Sequence, residues 1–166
     1  MSCVDLESAA RSVVKAATDR ALTISTAESC TAGLIASSIA DIPGASSVLR
    51  GGAVTYCDEI KRDVLGVPEA TLQEHTAVSE ACAIEMAERS LALFSADVAV
   101  SATGYAGPDG GTNADPAGTV YLACSTSRGT MCHRCTFEGS RNDVRRQAVL
   151  HALDMVLENV RALGNL

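Results

Sequence analysis

Between Leu22 and Ala40 the apolar residues change from alternate spacing to helical spacing, and this change constrains the fold more than any other feature of the chain. Leu22-Thr23-Ile24-Ser25-Thr26 alternates apolar and polar side chains and is rich in β-branched residues, the pattern of a strand. Leu34, Ile35, Ala36, Ile39 and Ala40 then make a helical stripe. The connection Thr26-Ala27-Glu28-Ser29-Cys30-Thr31-Ala32-Gly33 therefore turns a strand into a helix through polar residues. N–H groups at a helix start, beside the Ser29, Cys30 and Thr31 side chains, can hold an anion or a developing oxyanion. The same residues would also serve as an ordinary N-cap.

The remaining segments interleave in the same way. Leu6, Ala9, Ala10, Val13, Val14 and Ala17 predict an amphipathic first helix over Asp5 to Ala17. Asp41-Ile42-Pro43-Gly44 ends the helix that follows the turn. Val48 to Tyr56 reads as a strand in which Gly51-Gly52 allows a bulge, and a short helix then runs from near Tyr56 to Gly66. Thr71 to Val78 reads as irregular, with His75 a local hydrogen-bond partner. From Ser79 a long helix is expected to present Ile84, Ala87, Leu91 and Phe94. Asp97 to Thr103 is a central strand leading into the glycine-rich Gly104 to Gly111, where backbone N–H groups can approach a ligand. Gly118–Ser125 and Met131–Phe137 form a hairpin, and Ser140-Arg141-Asn142-Asp143 opens a final helix with a capping box. Val149, Leu153, Val156, Leu157 and Val160 form the buried stripe of that helix. This order predicts one α/β domain over 1–166, a three-layer α/β/α arrangement with a mixed sheet of about five strands.

With 47% hydrophobic but only 3% aromatic residues, the core has to be built from Ala, Val, Leu and Ile. A net charge of −7 speaks against a nucleic-acid-binding module, so an anionic ligand would be held locally. Asp5, Glu7, Arg11 and Lys15 interrupt the apolar pattern of the N-terminus, which therefore reads as neither signal peptide nor membrane span, and a cytoplasmic location is expected. Seven scattered cysteines are expected to be thiols. Cys132-His133-Arg134-Cys135 has a metal-like spacing, but in a strand positions three apart face opposite ways, so no metal site is expected.

The candidates for chemistry are the Ser29-Cys30-Thr31 turn, the glycine loop, a group formed by Ser46, Tyr56 and Lys61, and Arg141, Arg145 and Arg146. These arginines stand where a helix dipole disfavours cations, as they would if they answered an anion or formed a solvated basic face. No Ser-His-Asp pattern is present. A serine nucleophile would then need another base, and a desolvated lysine can serve.

Thr26–Gly33, Asp41–Ser47, Gly52–Tyr56 through Lys61, Ala77–Ser79, Thr103–Gly111, Pro116–Tyr121 and Phe137–Arg145 closely resemble, in order, the motifs of the CinA-type C-terminal domain family. The resemblance implies hydrolysis of the carboxamide of nicotinamide mononucleotide to nicotinate mononucleotide and ammonia, without a cofactor. It implies Ser46 as nucleophile, Lys61 as base and Tyr56 as their hydrogen-bonding partner. Glu28, Ser29, Cys30, Thr31, Thr103, Gly104 and Gly107 would form the substrate pocket, and Arg141 or Arg145 would hold the phosphate. The expected partner is a small pyridine nucleotide, with no nucleic acid or membrane, and association into a homo-oligomer is left open. Longer relatives carry a further N-terminal domain, so the chain is expected to be the amidohydrolase domain alone.

The chain departs from the family at Ala32, Thr76, Tyr105 and Cys57-Asp58-Glu59-Ile60, where relatives usually have Gly, Gly, Ile and Ser-Asn-Glu-Ala. A carboxylate at Asp58 would favour a charged Lys61. Tyr105 would narrow the pocket or stack on the pyridine ring. The alternatives are a non-catalytic nucleotide-binding or regulatory domain and a thiol or zinc protein built on Cys132 and Cys135.

Overall fold

The computed structural model describes residues 5–164. Along the chain run α1 (Leu6–Asp19), β1 (Ile24–Glu28), α2 (Leu34–Ala40), β2 (Leu49–Val54), α3 (Asp58–Asp63) and α4 (Glu69–His75). They are followed by α5 (Glu80–Leu93), β3 (Val98–Gly104), β4 (Thr119–Thr126), β5 (Gly129–Thr136) and α6 (Arg141–Leu163). The strands form one sheet in the order β2-β1-β3-β4-β5. β1 is parallel to both β2 and β3, while β3, β4 and β5 are successively antiparallel. The expected three-layer arrangement and mixed sheet are what the chain forms.

Small side chains let the layers approach. Ala10, Val13, Ala17, Ile35, Ala148, Val149 and Leu153 from α1, α2 and α6 cover one face of the sheet against Ile24, Val100 and Leu122. Cys82, Met86, Ala83 and Ala87 of α5 cover the other against Ala27 and Ala123. Between β1 and β2, Ile24 faces Leu49 but Ser25 faces Gly51, so Arg50 is the extra residue of the expected bulge. A Cβ at Gly52 would collide with the Thr26 Oγ1, which explains glycine at that close approach.

The expected first helix, hairpin and capping box are present. Ser140 N donates to Asp143 Oδ2 at 2.8 Å and Asp143 N to Ser140 Oγ at 3.3 Å. Two expectations change. The segment read as irregular contains α4, a two-turn helix whose single anchor, Leu72, packs against Leu65, Val67 and Cys82; one apolar contact is too little for a helical period to show. In α5 the buried face is Cys82, Ala83, Met86, Ala87 and Ser90, not the line of Ile84, Leu91 and Phe94. Small residues occupy the closest approach to the sheet, and Ser90 is satisfied there by Ser25, with Oγ atoms 2.9 Å apart.

Cys132 packs beside Ala83 and Ala87 and Cys135 against the opposite core, so the two sulfurs lie on different faces of β5. The six described cysteines are thiols, and Cys3 lies outside the described residues. Among the described residues no helix is long and apolar enough to cross a membrane.

Candidate active site

β1 is followed by α2 on one face of the sheet, whereas β3 is reached through α5 on the other. The crevice at the carboxyl ends of these parallel neighbours is where an open α/β sheet commonly binds a ligand. Ser29 and Cys30 follow β1, Thr103 and Gly104 end β3, and together they line a cavity of about 220 Å³. Tyr56, Asp58 and Lys61 close it from the β2–α3 side. Tyr105 and Asp109 come from the glycine-rich loop, and Arg141 comes from the start of α6.

Lys61 is only 1% exposed. Its Nζ donates to Ser29 Oγ at 3.0 Å and to the Thr55 carbonyl at 2.8 Å. Among the described residues no carboxylate forms an ion pair with it. Burial pulls its pKa below the ordinary lysine value, and the weaker fields of Cys82 and Asp58 do not restore it. The ammonium is therefore disfavoured beside a serine hydroxyl, the condition under which an amine becomes a base. The Asp58 carboxylate does act in the expected direction, but desolvation outweighs it. Burial also pushes the neighbouring Cys30 thiol up to about 11, so it remains protonated at neutral pH and does not compete as a nucleophile.

The turn that presents Ser29 is held from both sides. Glu28 is fully buried and accepts from Gly33 N at 3.0 Å, Ile35 N at 3.0 Å and Ala36 N at 2.9 Å. Its carboxylate thus satisfies the orphan amides at the start of α2 and is favoured by the helix dipole. Arg145 donates to the Cys30 carbonyl at 3.1 Å and the Thr31 carbonyl at 3.0 Å. Because a peptide is planar and trans, fixing the Cys30 carbonyl also fixes the Thr31 N–H on the opposite side. Among the described residues, no protein group other than the Cys30 thiol itself accepts from the amides of Cys30 and Thr31.

At the mouth, Arg141 donates to the Gly107 carbonyl at 2.9 Å and to Tyr56 Oη at 2.8 Å. It joins the glycine loop to the β2–α3 connection. Thr103 Oγ1 donates to the Ala77 carbonyl at 2.7 Å, bringing the segment after α4 to the cavity wall. A Cβ at Gly104 would strike the Thr119 carbonyl and Val120, so only glycine fits there.

The structure brings Ser29, Cys30, Tyr56, Lys61, Thr103, Gly104 and Arg141 together and corrects the placement of others. Ser46 lies on an exposed 3-10 turn before β2, where Ile24 N donates to the Val48 carbonyl at the opposite end of β1. At ~3.3 Å per residue this puts it roughly 15 Å from Ser29, out of reach of Lys61. The Tyr56 hydroxyl bonds Arg141 and not Lys61; the Thr55 carbonyl takes that place. Glu28, Thr31 and Arg145 support the turn and do not line the cavity, and Gly107 contributes its carbonyl to Arg141. Arg146 faces a separate hollow between α1 and α2. The lining by Val78 and Asp109 and the Thr55 contact were missed. Position at a strand's carboxyl end is the signal that marks Asp109, while a backbone carbonyl leaves no trace in the sequence.

Comparison with known proteins identifies related chains and structures. The model of the CinA C-terminal domain matches residues 6–160. The nicotinamide-nucleotide amidohydrolase PncC of Escherichia coli K12 is 49% identical over 135 residues, covering 81% of this chain and 82% of that protein. A competence-damage inducible protein of Caldanaerobacter subterraneus is 45% identical over 92% of this chain, which spans only 37% of that relative's length. A crystal structure of a CinA superfamily protein from Klebsiella pneumoniae superposes with a TM-score of 0.92 at 37% identity, covering 96% of this chain and 99% of that one. A competence/damage inducible protein from Agrobacterium tumefaciens does so with a TM-score of 0.91 at 40% identity, covering 94% and 96%. The chain belongs to the CinA C-terminal domain family.

Proposed function

We propose that the chain hydrolyses the carboxamide of a nicotinamide nucleotide, with Ser29 as nucleophile and Lys61 as base. The observation that carries this reading is the 3.0 Å contact between a buried, desolvated Lys61 Nζ and Ser29 Oγ at the carboxyl end of β1. The similarity to E. coli PncC supplies the substrate class.

Neutral Lys61 takes the Ser29 proton as Oγ bonds to the carboxamide carbon. The Cys30 and Thr31 amides stabilise the resulting oxyanion, an interaction worth roughly 3 kcal/mol per well-placed donor. Lys61 then returns the proton to the departing nitrogen, and ammonia leaves an acyl-serine. Water attacks this ester while Lys61 accepts its proton. Collapse restores Ser29 with the proton held by Lys61 and frees the carboxylic acid, which gives its remaining proton to solvent and leaves as the carboxylate. Arg141, at the mouth, holds the nucleotide phosphate by exchanging its Tyr56 contact for a charge-assisted one.

Ammonia release from nicotinamide mononucleotide tests the reading. Turnover by the wild type, lost in Ser29→Ala and Lys61→Ala, is the expected result. Nucleotide binding without turnover would leave only a binding domain.

A further inference from the structure

The cavity has an electrostatic feature that amide hydrolysis by itself does not require. Asp58 is the first residue of α3 and stands one helical turn before Lys61, so both side chains reach the cavity from the same face of that short helix. Asp58 has no ion-pair partner among the described residues. Arg62, four residues on, instead pairs with Asp63 at 2.7 Å and Glu69 at 3.7 Å. Asp109 lines the cavity from the glycine loop, likewise without an ion pair, and Tyr105 adds an aromatic face. The only guanidinium in the lining, that of Arg141, is at the mouth.

Two carboxylates without ion pairs on the exposed side of the cavity, with an arginine at its mouth, are the wrong field for a simple anion. They suit a zwitterion that carries a cationic group beside the carboxylates and an anionic group beside the arginine. Ser29 and Asp58 line the same cavity of about 220 Å³, so a carboxamide held at Ser29 brings its ring into the cavity that Asp58 faces. Resting on the proposed amidohydrolase reading, we infer that Asp58 is a specificity-determining residue that reads the positive charge of the pyridinium ring. It thereby favours an oxidised nicotinamide nucleotide over the reduced form, which has the same carboxamide and phosphate but a neutral ring. Tyr105 supports the same preference through its π face. Asp58 is itself exposed, so solvent moderates the effect.

The test is calorimetric binding of oxidised and reduced nicotinamide mononucleotide to Ser29→Ala protein, which holds the amide uncleaved. The expected result is tighter binding of the oxidised form. Adding Asp58→Asn should reduce that preference on the order of tenfold while the reduced form's Kd stays within about twofold. Asp58→Glu should restore the preference, which a merely structural role for Asp58 would not require. Equal weakening of both forms, or an unchanged ratio, overturns the inference. Ammonia release by the otherwise wild-type protein separates the two readings. Turnover with an unchanged ratio in Asp58→Asn removes the ring-charge role and leaves the reaction. A shifted ratio without turnover removes the reaction and leaves the role, and binding of neither nucleotide overturns both.

Discussion

Lys61 Nζ lies 3.0 Å from Ser29 Oγ although 32 residues separate them in the chain, and the parallel pairing of β1 with β2 creates that proximity. Val54 lies opposite Glu28, so the chain leaves β2 at the level of the Ser29 turn and the next helix delivers Lys61 to it. Ser46 enters β2 at the other end. Ser29→Ala is therefore expected to lower kcat on the order of 10³-fold or more, and Ser46→Ala to leave it nearly unchanged. Steady-state ammonia release from both variants checks this, and the reverse pattern would move the nucleophile to Ser46.

The burial that depresses the Lys61 pKa also makes the residue costly to the fold. Its folded pKa is depressed, so between that value and the ordinary lysine value the unfolded chain binds more protons. Stability should rise with pH across this window, and kcat/KM should rise with pH as the amine loses its proton. Lys61→Met keeps the volume and removes the charge. It should abolish turnover and raise stability at neutral pH by about 1–2 kcal/mol, measured by urea unfolding. A destabilised Lys61→Met protein would show that the ammonium is well accommodated.

Glu28 offers the opposite case, a buried charge that the fold uses. Three backbone amides converge on its carboxylate, and removing it strands them away from water. Glu28→Ala should cost about 3 kcal/mol or more of stability, with Glu28→Gln retaining part of it. Chemical denaturation checks the order. If Glu28→Ala unfolds like the wild type while losing nucleotide affinity, the carboxylate is a substrate ligand after all.

Much of this arrangement was legible in the sequence because local pattern and tertiary role agree. The change of period at Leu22 to Ala40, the central strand at Val98 and the Ser140–Asp143 capping box all describe elements that exist. Lys61 and Ser29 both stand among the sequence candidates, whereas the family resemblance pairs Lys61 with Ser46, and spacing along the chain does not tell the two serines apart. Strand direction carries the missing information: a residue before a parallel strand and one after its neighbour lie at opposite ends of the sheet. Arg145 shows a different limit. An arginine at a helix start signals an anion, but here the negative partners are two peptide carbonyls of the Ser29 turn, which no side-chain pattern reveals.

The two arginines of α6 should consequently separate in kinetics. Arg141 reaches the cavity mouth, and Arg145 reaches only the turn's backbone. Arg141→Ala should raise KM for the mononucleotide by roughly tenfold or more and change little for the riboside that lacks the phosphate. Arg145→Ala should lower kcat for both substrates alike, because it loosens the peptide that carries the Thr31 N–H. Equal effects of the two variants on the ratio of mononucleotide to riboside would show that both arginines bind phosphate.

The far edge of the sheet carries a contact that depends on protonation. His133 Nδ1 on β5 and His151 Nε2 on α6 lie 2.9 Å apart, with the His151 ring edge-on to Phe137. One nitrogen must donate and the other accept, so protonating both rings would set two donors against each other. Burial, followed by the field of His133, lowers the His151 pKa, while Asp154 and Glu158 on the same helix oppose the shift. A depressed folded pKa means that the unfolded chain takes up the proton first. The contribution is therefore complete above the ordinary histidine value and lost as pH falls through the folded one. His151→Phe should flatten the loss of stability between about pH 7.5 and 5 relative to the wild type. Urea midpoints at those two pH values measure it. Using the difference between the proteins cancels the general response of a chain with a net charge of −7. Parallel slopes would place the acid sensitivity elsewhere, whereas a flatter slope in the variant would assign it to the contact that pins edge strand β5 to α6.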